Sequence, residues 1–556
     1  MEDKLFLIAI GGTGMRCLEA FVHLCAAGLF DNHTIEILTL DTDQNNGNKD
    51  RVENLIELYN KVKTNDASNK GGGEQRSNTF FSAKLNLYRF FTDYSTANRM
   101  TLAALASTSN LTDEQRQDNQ DLSDLLFERD SVQQFKLDHG YRAQTHLGSL
   151  LMYHGIIEAA INAKKGDNTV KAQEKQLFDY LQLLNKHAAN ARVFVFGSVF
   201  GGTGASSIPV MPIAISEAMR IITGGNNVLN LKKVLFGSTL LTDYFTFQPP
   251  TDKQLTIDKV IADANNFALN SQAALSFYNG DSTVRSTYKK MYHIGWPSSL
   301  KINYSEGKTG NVVTGGHEQC NACHVAELMC AAAAYDFFNE DRAKLEKIGE
   351  AEYDFRTVAV DENGTIQLSG SSFIGSDKGE VFENKLGALL SLAHIILSKF
   401  GGAHEDIHGT VELLNYLDNV KFSEYNDISD TQCDEIDGYL KEFGYKFVKG
   451  SVVFGWIYQI FKSVGSGKFI FSPEAFKTDI DELDSIDPGI IFSDEAHHWN
   501  KTGFFTNSAA DRRFNTLIEL LKSDETEPGD SQAVTLKERF LAHMYNAITI
   551  AQHFNE

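Results

Sequence analysis

Two copies of the four-residue sequence Gly-Gly-Thr-Gly constrain the fold of this chain more than any other feature. The first, Gly11–Gly14, follows the apolar run Leu5–Ile10, and the second, Gly201–Gly204, comes shortly after the strand-like run Arg192–Phe196. Continuous apolar runs of about six residues are typical of strands buried on both faces of a parallel sheet. A further run, Ile35–Leu40, completes a succession of strand, glycine turn, helix and strand. This succession predicts a βαβ unit.

The composition restricts the class of protein further. Hydrophobic residues make up 42% and charged residues 22% of the 556 residues, as in a globular protein with a core. The net charge of −22 argues against a nucleic-acid-binding surface, which would be basic. No secretory signal and no apolar stretch long enough to cross a membrane is visible, and the six cysteines do not form a disulfide pattern. We therefore expect a cytoplasmic protein without membrane insertion.

The patterning divides the chain into two parts. Residues 1–340 are predicted to form an α/β nucleotide-binding domain with a large helical insertion at about 50–190, and residues 341–556 a C-terminal α/β domain. In the second part, residues 355–360 and 365–368 are predicted to form a hairpin. The other predicted elements are strands at 234–241 and 291–295 and helices at 149–163, 205–222, 256–278, 320–338, 379–400, 411–417 and 534–553.

The two glycine motifs predict a site for a phosphate-bearing ligand. Glycines let the backbone approach a phosphate closely, and the N-terminus of the following helix adds partial positive charge. Thr13 and Thr203 can add hydroxyl donors. Two such turns at the carboxyl ends of strands in one sheet would converge on one ligand. The alternative is that the glycines only allow a helix to pack tightly on a strand.

A dinucleotide site is a second interpretation of the first motif. The Rossmann pattern G-x-G-x-x-G or G-x-G-x-x-A would place glycine or alanine where this chain has Cys17. Asp41, at the end of the second strand, would suit a ribose hydroxyl. An NAD(P)-dependent enzyme therefore remains open at this point. A Walker phosphate loop is absent, because Phe469 stands where its Ser or Thr follows the lysine.

The glycine motifs also carry a resemblance to a known family. Gly201-Gly-Thr-Gly-Ala-Ser206 resembles the tubulin signature G-G-T-G-S-G, and Ile10–Arg16 looks like that family's first phosphate loop. Leu40-Asp-Thr-Asp43 is similar to the I-N-T-D sequence of the bacterial cell-division tubulin homologue, with Asp41 in place of Asn. The resemblance covers about residues 1–340. It implies a tubulin-like, Rossmann-type GTPase domain that binds GTP with Mg²⁺ and stacks head to tail into protofilaments.

The resemblance assigns site residues. It implies that the phosphate region is formed by Gly11, Gly12, Thr13, Gly14, Asp41, Asp43, Gly201, Gly202, Thr203 and Gly204. The helix predicted over 258–278 is similar to the one that reads the base, with Asp263, Asn265, Asn266 and Asn270 available for guanine. The alternative for these side chains is a solvated helix face. Gly71–Gly73 is the candidate for the loop at the γ-phosphate.

Hydrolysis in this family requires a loop of the form N-x-D, followed by a second acid, from the neighbouring subunit. Residues 316–327 look like that loop: Asn321 matches, Cys323 stands in place of the first Asp, and Glu327 falls one residue beyond the second acid. Glu327 or His324 would then position the attacking water across the subunit contact. The alternatives are that Asn321 and Glu327 cap a helix and that the chain is a nucleotide-dependent scaffold without hydrolysis. In a stacked polymer, the net charge makes assembly sensitive to salt and divalent cations.

The cysteines of this loop suggest two further sites that we do not expect. Cys320-Asn-Ala-Cys-His324 satisfies the c-haem attachment pattern, but that attachment requires export. His317, Cys320, Cys323 and His324 also offer zinc ligands. The adjacent Cys323 and His324 would have to diverge to meet one tetrahedral ion. We therefore predict no metal site there.

Overall fold

The computed structural model describes most of the chain, with gaps. Its described residues are 3–43, 45–64, 73–94, 96, 99–107, 111–129, 133, 135–137, 141, 145–166, 170–225, 233–249, 262–304, 316–317, 319–360, 362, 366–368, 370–397, 409–419, 422–448, 451–464, 468–469 and 517–553. Residues 250–261, which include the start of the helix predicted over 256–278, and Gly71 and Gly72 of the predicted γ-phosphate loop lie outside these residues.

A seven-stranded parallel sheet forms the centre of the molecule. The strands are β1 Lys4–Ile10, β2 Thr34–Asp41, β3 Lys84–Phe91, β4 Ala191–Phe196, β5 Leu235–Leu241, β6 Phe245–Thr246, β7 Tyr288–Ile294, β8 Ile302–Asn303, β9 Glu352–Arg356, β10 Gln367–Leu368, β11 Tyr445–Val448, β12 Ser451–Phe454 and β13 Lys468–Phe469. The central sheet has the order β3-β2-β1-β4-β5-β7-β9, and each neighbouring pair is parallel. The remaining strands form the two-stranded pairs β6–β8, β10–β13 and β11–β12. The α/β fold class is confirmed.

Helices cover both faces of this sheet. They are α1 Gly11–Ala26, α2 Gly47–Lys63, α3 Leu102–Ala106, α4 Asp113–Leu126, α5 Thr145–Lys165, α6 Ala172–Lys186, α7 Thr203–Ser207, α8 Met211–Ile222, α9 Phe267–Gly280, α10 Ser282–Thr287, α11 Val325–Asn339, α12 Arg342–Lys347, α13 Gly370–Phe373, α14 Ser376–Leu397, α15 Thr410–Asp418, α16 Asp430–Phe443, α17 Trp456–Ser463 and α18 Leu536–His553. In the part of the chain that the structure describes, no helix is long and apolar enough to cross a membrane.

The apolar run of β1 explains why the sheet is buried on both sides. Leu5, Leu7 and Ala9 belong to a core that also contains residues of α1, α11 and α14. The alternate residues, such as Phe6 and Ile8, belong to a second core with residues of α5 and α8. Because successive side chains of a strand point to opposite faces, a continuous apolar run is what a doubly covered strand requires.

Several predicted elements differ from the observed ones. β3 lies inside the segment predicted as a helical insertion and forms an edge of the sheet. The helix predicted over 205–222 is interrupted between α7 and α8, where Pro209 and Pro212 lack backbone donors. Of the predicted hairpin, the described residues show the antiparallel bridge Val360–Ile366, whereas residues 352–356 form β9, which joins the central sheet beside β7.

The sheet does not end at the predicted domain boundary. β9, at 352–356, lies beyond residue 340 and is the seventh strand of the central sheet. The core that contains Leu5 continues without interruption through residues of α14 and α16 to Ile548 of α18. The described residues after 340 therefore extend the first part of the fold and share its core. Within them, helices α12–α18 predominate over the short strands.

Candidate functional site

The order of the strands creates a crevice at the carboxyl edge of the sheet. β1 lies between β2 and β4, and the chain leaves β1 through α1 toward β2 but leaves β4 through α7 and α8 toward β5. The two connections run in opposite directions and cover opposite faces of the sheet. Such a topological switch point leaves an open groove between the two connections, and ligands of α/β proteins bind there.

Both glycine motifs lie at this switch point and touch each other. Gly11 has φ of +65°, and a Cβ built on it would lie 3.0 Å from Cβ of Thr203. On the other side of the first loop, a Cβ on Gly14 would lie 2.7 Å from the carbonyl oxygen of Phe196. A side chain at Gly11 would push the two loops apart, and one at Gly14 would push α1 away from the end of β4. The prediction that the two turns are neighbours in one sheet is therefore confirmed.

Each glycine loop opens directly into the N-terminus of a helix. Ile10 is the N-cap residue of α1, and its side chain cannot accept a hydrogen bond from the first turn. Gly202 has the corresponding position before α7 and likewise has no side chain to cap the helix. Gly12, Thr13 and Gly202 are half-buried, whereas Gly11 is buried. The first-turn N–H groups of both helices are therefore left without a side-chain cap, as at helix N-termini that bind anions.

Amide side chains from the start of α2 lie beside the first loop. Nδ2 of Asn46 would be 3.1 Å, and Nδ2 of Asn48 3.4 Å, from a Cβ built on Gly12. Asn48 is 1% exposed, and its Oδ1 has no hydrogen-bond partner among the described residues. Asn46 caps α2 by accepting from the backbone N–H of Asn48 at 3.0 Å. Gly12 therefore faces two amide donors, which a phosphate or hydroxyl oxygen could accept from.

Asp41 and Asp43 are buried where β2 ends. Oδ1 of Asp41 accepts from the backbone N–H of Thr42 at 2.7 Å, whereas its Oδ2 is buried without a partner in the described part of the chain. Burial, followed by the charge of Asp43, raises the pKa of Asp41 to about 7. Asp43 accepts from the backbone N–H of Gly316 at 2.6 Å. The two carboxylates thus differ, because only Asp43 holds another segment in place.

The start of α9 lies beside the second glycine loop. The rings of Phe200 and Phe267 are 4.9 Å apart, and Nδ2 of Asn270 donates to the carbonyl oxygen of Phe200 at 3.4 Å. Asn265 and Asn266 are exposed, and Asp263 caps this turn through the N–H of Asn265. The structure therefore places the asparagines predicted to read a base near the second loop.

Residues 316–317 and 319–323, here called the covering segment, lie against the first glycine loop of the same chain. A Cβ on Gly47 would be 2.4 Å from the carbonyl oxygen of His317, and Oε1 of Gln319 accepts from Asn46 at 3.0 Å. Asn321 is half-buried and accepts from Arg51 through its carbonyl oxygen at 2.8 Å. A loop that completes a neighbouring subunit's site would lie at the opposite end of the molecule. The covering segment is instead at the edge that carries both glycine motifs.

His324 and Glu327 are turned into the protein. His324 is the N-cap of α11, where its Nδ1 accepts from the N–H of Ala326 at 3.1 Å, and burial holds its pKa well below the usual range. Glu327 is 0% exposed and forms an ion pair with Arg16. Oε1 of Glu327 also accepts from the hydroxyl of Tyr244 at 2.6 Å. Glu327 thus caps the start of α11, as the alternative interpretation predicts, but the residue that caps the helix with it is His324 and not Asn321.

The described residues show no supporting geometry for a zinc site or for a γ-phosphate loop at Gly71–Gly73. No cluster of three or more His, Cys, Asp or Glu side chains with a geometry for a metal ion occurs among the residues that the structure describes. Gly73 lies 3.1 Å, measured from a built Cβ, from the carbonyl oxygen of Lys63 at the end of α2. Because α2 begins at the crevice, its end lies away from the glycine loops. Gly73 therefore does not form part of this site.

The fold and the crevice define a doubly wound α/β protein with two glycine loops at its switch point. No protein-family model matches the chain, and the comparison with curated proteins finds no significant match.

Several residues at the crevice escaped the sequence analysis. Asn46, Asn48 and Arg51 contact the loop or its covering segment, yet none belongs to a recognisable motif, and Gln319 lies in the loop predicted for hydrolysis but was given no role there. A charged residue among the mostly apolar first turns of α1, Arg16, could have indicated a buried partner, and it does contact the carbonyl oxygen of Ala322 in the covering segment.

Proposed function

We propose that this protein is a GTP-binding, tubulin-like protein that assembles head to tail into protofilaments. The observation that carries the proposal is the contact between the two glycine loops, one from β1 and one from β4, at the switch point of the sheet. Two helix N-termini that face one crevice favour a ligand with several phosphates. Mg²⁺ would accompany the phosphates and offset their charge.

The surroundings of the loops support a nucleotide over a simple anion. The amide groups of Asn46 and Asn48 extend the donors beyond the backbone of Gly12. At the other loop, Asn270 contacts the carbonyl oxygen of Phe200 and Asn265 and Asn266 are exposed, and we expect a base attached to the phosphates to contact these side chains. Asparagine presents both a donor and an acceptor, as recognition of a guanine edge requires. The crevice therefore offers separate regions for phosphates and base.

We expect Gly202→Val to weaken GTP binding at least about tenfold, a loss of about 1.4 kcal/mol. Gly202 has φ of −78° and ψ of −67°, so a valine backbone is accommodated without strain. Its branched side chain would occupy the space through which a phosphate approaches the loop. Binding is measured by titration calorimetry with GTP and Mg²⁺. The control is Gly349→Val, since Gly349 is exposed and a Cβ there meets nothing within 4 Å.

The same titration tests the dinucleotide alternative. Competition of NAD and GTP for the wild-type protein is measured with one ligand in excess. We expect GTP to bind and NAD not to displace it. Binding of NAD without competition by GTP would contradict the proposal. Equal GTP affinities of the wild type and Gly202→Val would show that the second loop does not hold phosphates.

Hydrolysis requires a separate test, because the burial of His324 and Glu327 favours a second candidate function, a nucleotide-dependent scaffold that does not hydrolyse GTP. If a subunit contact completes the active site, GTP turnover per subunit rises with protein concentration. We expect GTP-dependent sedimentation, and a rise in turnover would show that residues other than the buried His324 and Glu327 complete the active site. GTP-dependent sedimentation without turnover would establish the scaffold. The absence of both GTP turnover and GTP-dependent sedimentation would contradict the assembly proposal.

A further inference from the structure

Two cysteines of the covering segment lie against a single guanidinium group. Nη1 of Arg51 contacts Sγ of Cys320 at 3.4 Å, and Nη2 contacts Sγ of Cys323 at 3.6 Å. Nη1 also donates to the carbonyl oxygen of Asn321 at 2.8 Å. Because a guanidinium is rigid and planar, a tetrapeptide that touches it at three points must curve around it. The two sulfur atoms are thus held on the same cation.

The two thiols differ in exposure: one can be reached by a reagent from solvent, and the other is buried behind it. Cys320 is exposed, whereas Cys323 is only 3% exposed and directly precedes the N-cap of α11. Burial and the Glu19 carboxylate raise the pKa of the Cys323 thiol, while Arg51 lowers it. A reagent therefore reaches Cys320 first. Both sulfur atoms lie next to the guanidinium of Arg51.

We propose that Cys320 and Cys323 form a reversible intrachain disulfide, with the oxidised form of a low-molecular-weight thiol, RSSR, as oxidant. The Cys320 thiolate attacks one sulfur of RSSR, which forms a mixed disulfide and releases RS⁻. Cys323 then loses its proton, and its thiolate attacks the Cys320 sulfur and releases the second RS⁻. The protein loses two protons and two electrons, and RSSR becomes two molecules of RSH.

Closing this bond changes the contacts of the covering segment. The two sulfurs must turn from Arg51 toward each other, to a separation of about 2.05 Å. Arg51 then keeps its contacts to the Asn321 carbonyl and to Glu19. The same segment reaches the first glycine loop through Gln319 and Asn46. The disulfide itself does not depend on nucleotide binding; only an effect on GTP affinity rests on the proposed function.

The test is oxidation of the full chain by oxidised glutathione, followed by alkylation and mass spectrometry. We expect the peptide that contains Cys320 and Cys323 to lose two hydrogens and to resist alkylation until it is reduced. In Cys323→Ser, the glutathione adduct on Cys320 should persist, because no second thiol resolves it. Cys433→Ser, which removes a buried cysteine elsewhere, is the control and should form the disulfide as the wild type does.

Two results would overturn the inference. One is a wild-type protein that accumulates the glutathione adduct without forming the intrachain bond. The other is a Cys320→Ser variant that acquires an adduct on Cys323 as fast as Cys323→Ser acquires one on Cys320. GTP binding is measured separately on the reduced protein. A failure to bind GTP would contradict the proposed function and leave the result on the disulfide unaffected.

Discussion

Replacing Glu327 by alanine is expected to lower the free energy of unfolding by about 3–5 kcal/mol. The substitution removes the carboxylate that faces Arg16, a side chain that is itself 2% exposed. Arg16 would keep only neutral partners, the hydroxyl of Tyr304 at 3.0 Å and the carbonyl oxygen of Ala322 at 2.5 Å. An uncompensated charge in the interior is among the most costly defects of a folded protein. The loss is measured by urea-induced unfolding.

Two variants distinguish the cost of leaving the Arg16 charge unpaired from the cost of removing any glutamate side chain. Glu346→Ala removes one partner of the exposed pair Arg342–Glu346 on α12 and should cost less than about 1 kcal/mol. The double variant Arg16→Met/Glu327→Leu removes both charges and should recover part of the stability lost by Glu327→Ala. A Glu327→Ala protein as stable as the wild type, or a double variant less stable than the single one, would contradict this account. Glu327→Gln, which preserves the shape, serves if the alanine variant does not fold.

Asp41→Asn is expected to stabilise the nucleotide-free protein by up to about 4 kcal/mol above pH 7. The carboxylate of Asp41 is buried, Asp43 lies close to it, and its Oδ2 lacks a partner among the described residues. These features disfavour the charged form and raise the pKa from 3.8 to about 7. A difference of about three pKa units corresponds to about 4 kcal/mol. Asparagine has the same shape and never acquires the charge.

The sign of the pH dependence follows from the raised pKa. Between about pH 4 and pH 7, the folded wild type binds the proton of Asp41 more tightly than the unfolded chain does. The stabilisation from this proton is complete below pH 4 and is lost as the pH rises through 7. The advantage of Asp41→Asn should therefore be absent near pH 4, grow up to about pH 7 and stay constant above it.

Urea unfolding at several pH values between 4 and 8 measures this advantage. Asp113→Asn is the matched control, since the side chain of Asp113 is fully exposed and its replacement should change stability by less than about 0.5 kcal/mol. An advantage of Asp41→Asn that is the same at every pH, or one that decreases as the pH rises, would contradict the buried charge. The experiment uses nucleotide-free protein, so its result does not depend on GTP binding.

The centre of the fold could be predicted because its strands carry a local signal. The predicted strand Leu5–Ile10 is one residue shorter than β1 at its start, and Ile35–Leu40 is one residue shorter than β2 at each end. β3 has no such signal: it is an edge strand, and Lys84, Asn86 and Arg89 interrupt its apolar residues. β9 could not be placed from the sequence, because its sheet partner β7 lies about 60 residues earlier in the chain and the two parallel strands are not joined by a tight turn.

In the candidate site, too, features with a local sequence signal could be predicted and those that depend on long-range contacts could not. The meeting of the two glycine loops follows from parallel strands, whose carboxyl ends share one edge. The contact between Asn46 and Gln319 spans 273 residues, and that between Arg16 and Ala322 spans 306. Neither contact leaves a trace in local composition. The covering segment was consequently interpreted through a family resemblance, and its position at the crevice became visible only in three dimensions.

The last described helix of the chain holds one of the first in place. Nζ of Lys537, on α18, donates to the carbonyl oxygens of Lys61 and Thr64 at 2.8 Å, where α2 ends. During synthesis on the ribosome, β1, α1 and α2 emerge long before the helices that cover them. Their apolar surfaces stay uncovered until those helices have been synthesised. The central sheet is completed only when its edge strand β9 has emerged. Folding of this core therefore cannot be completed before α18 has been synthesised.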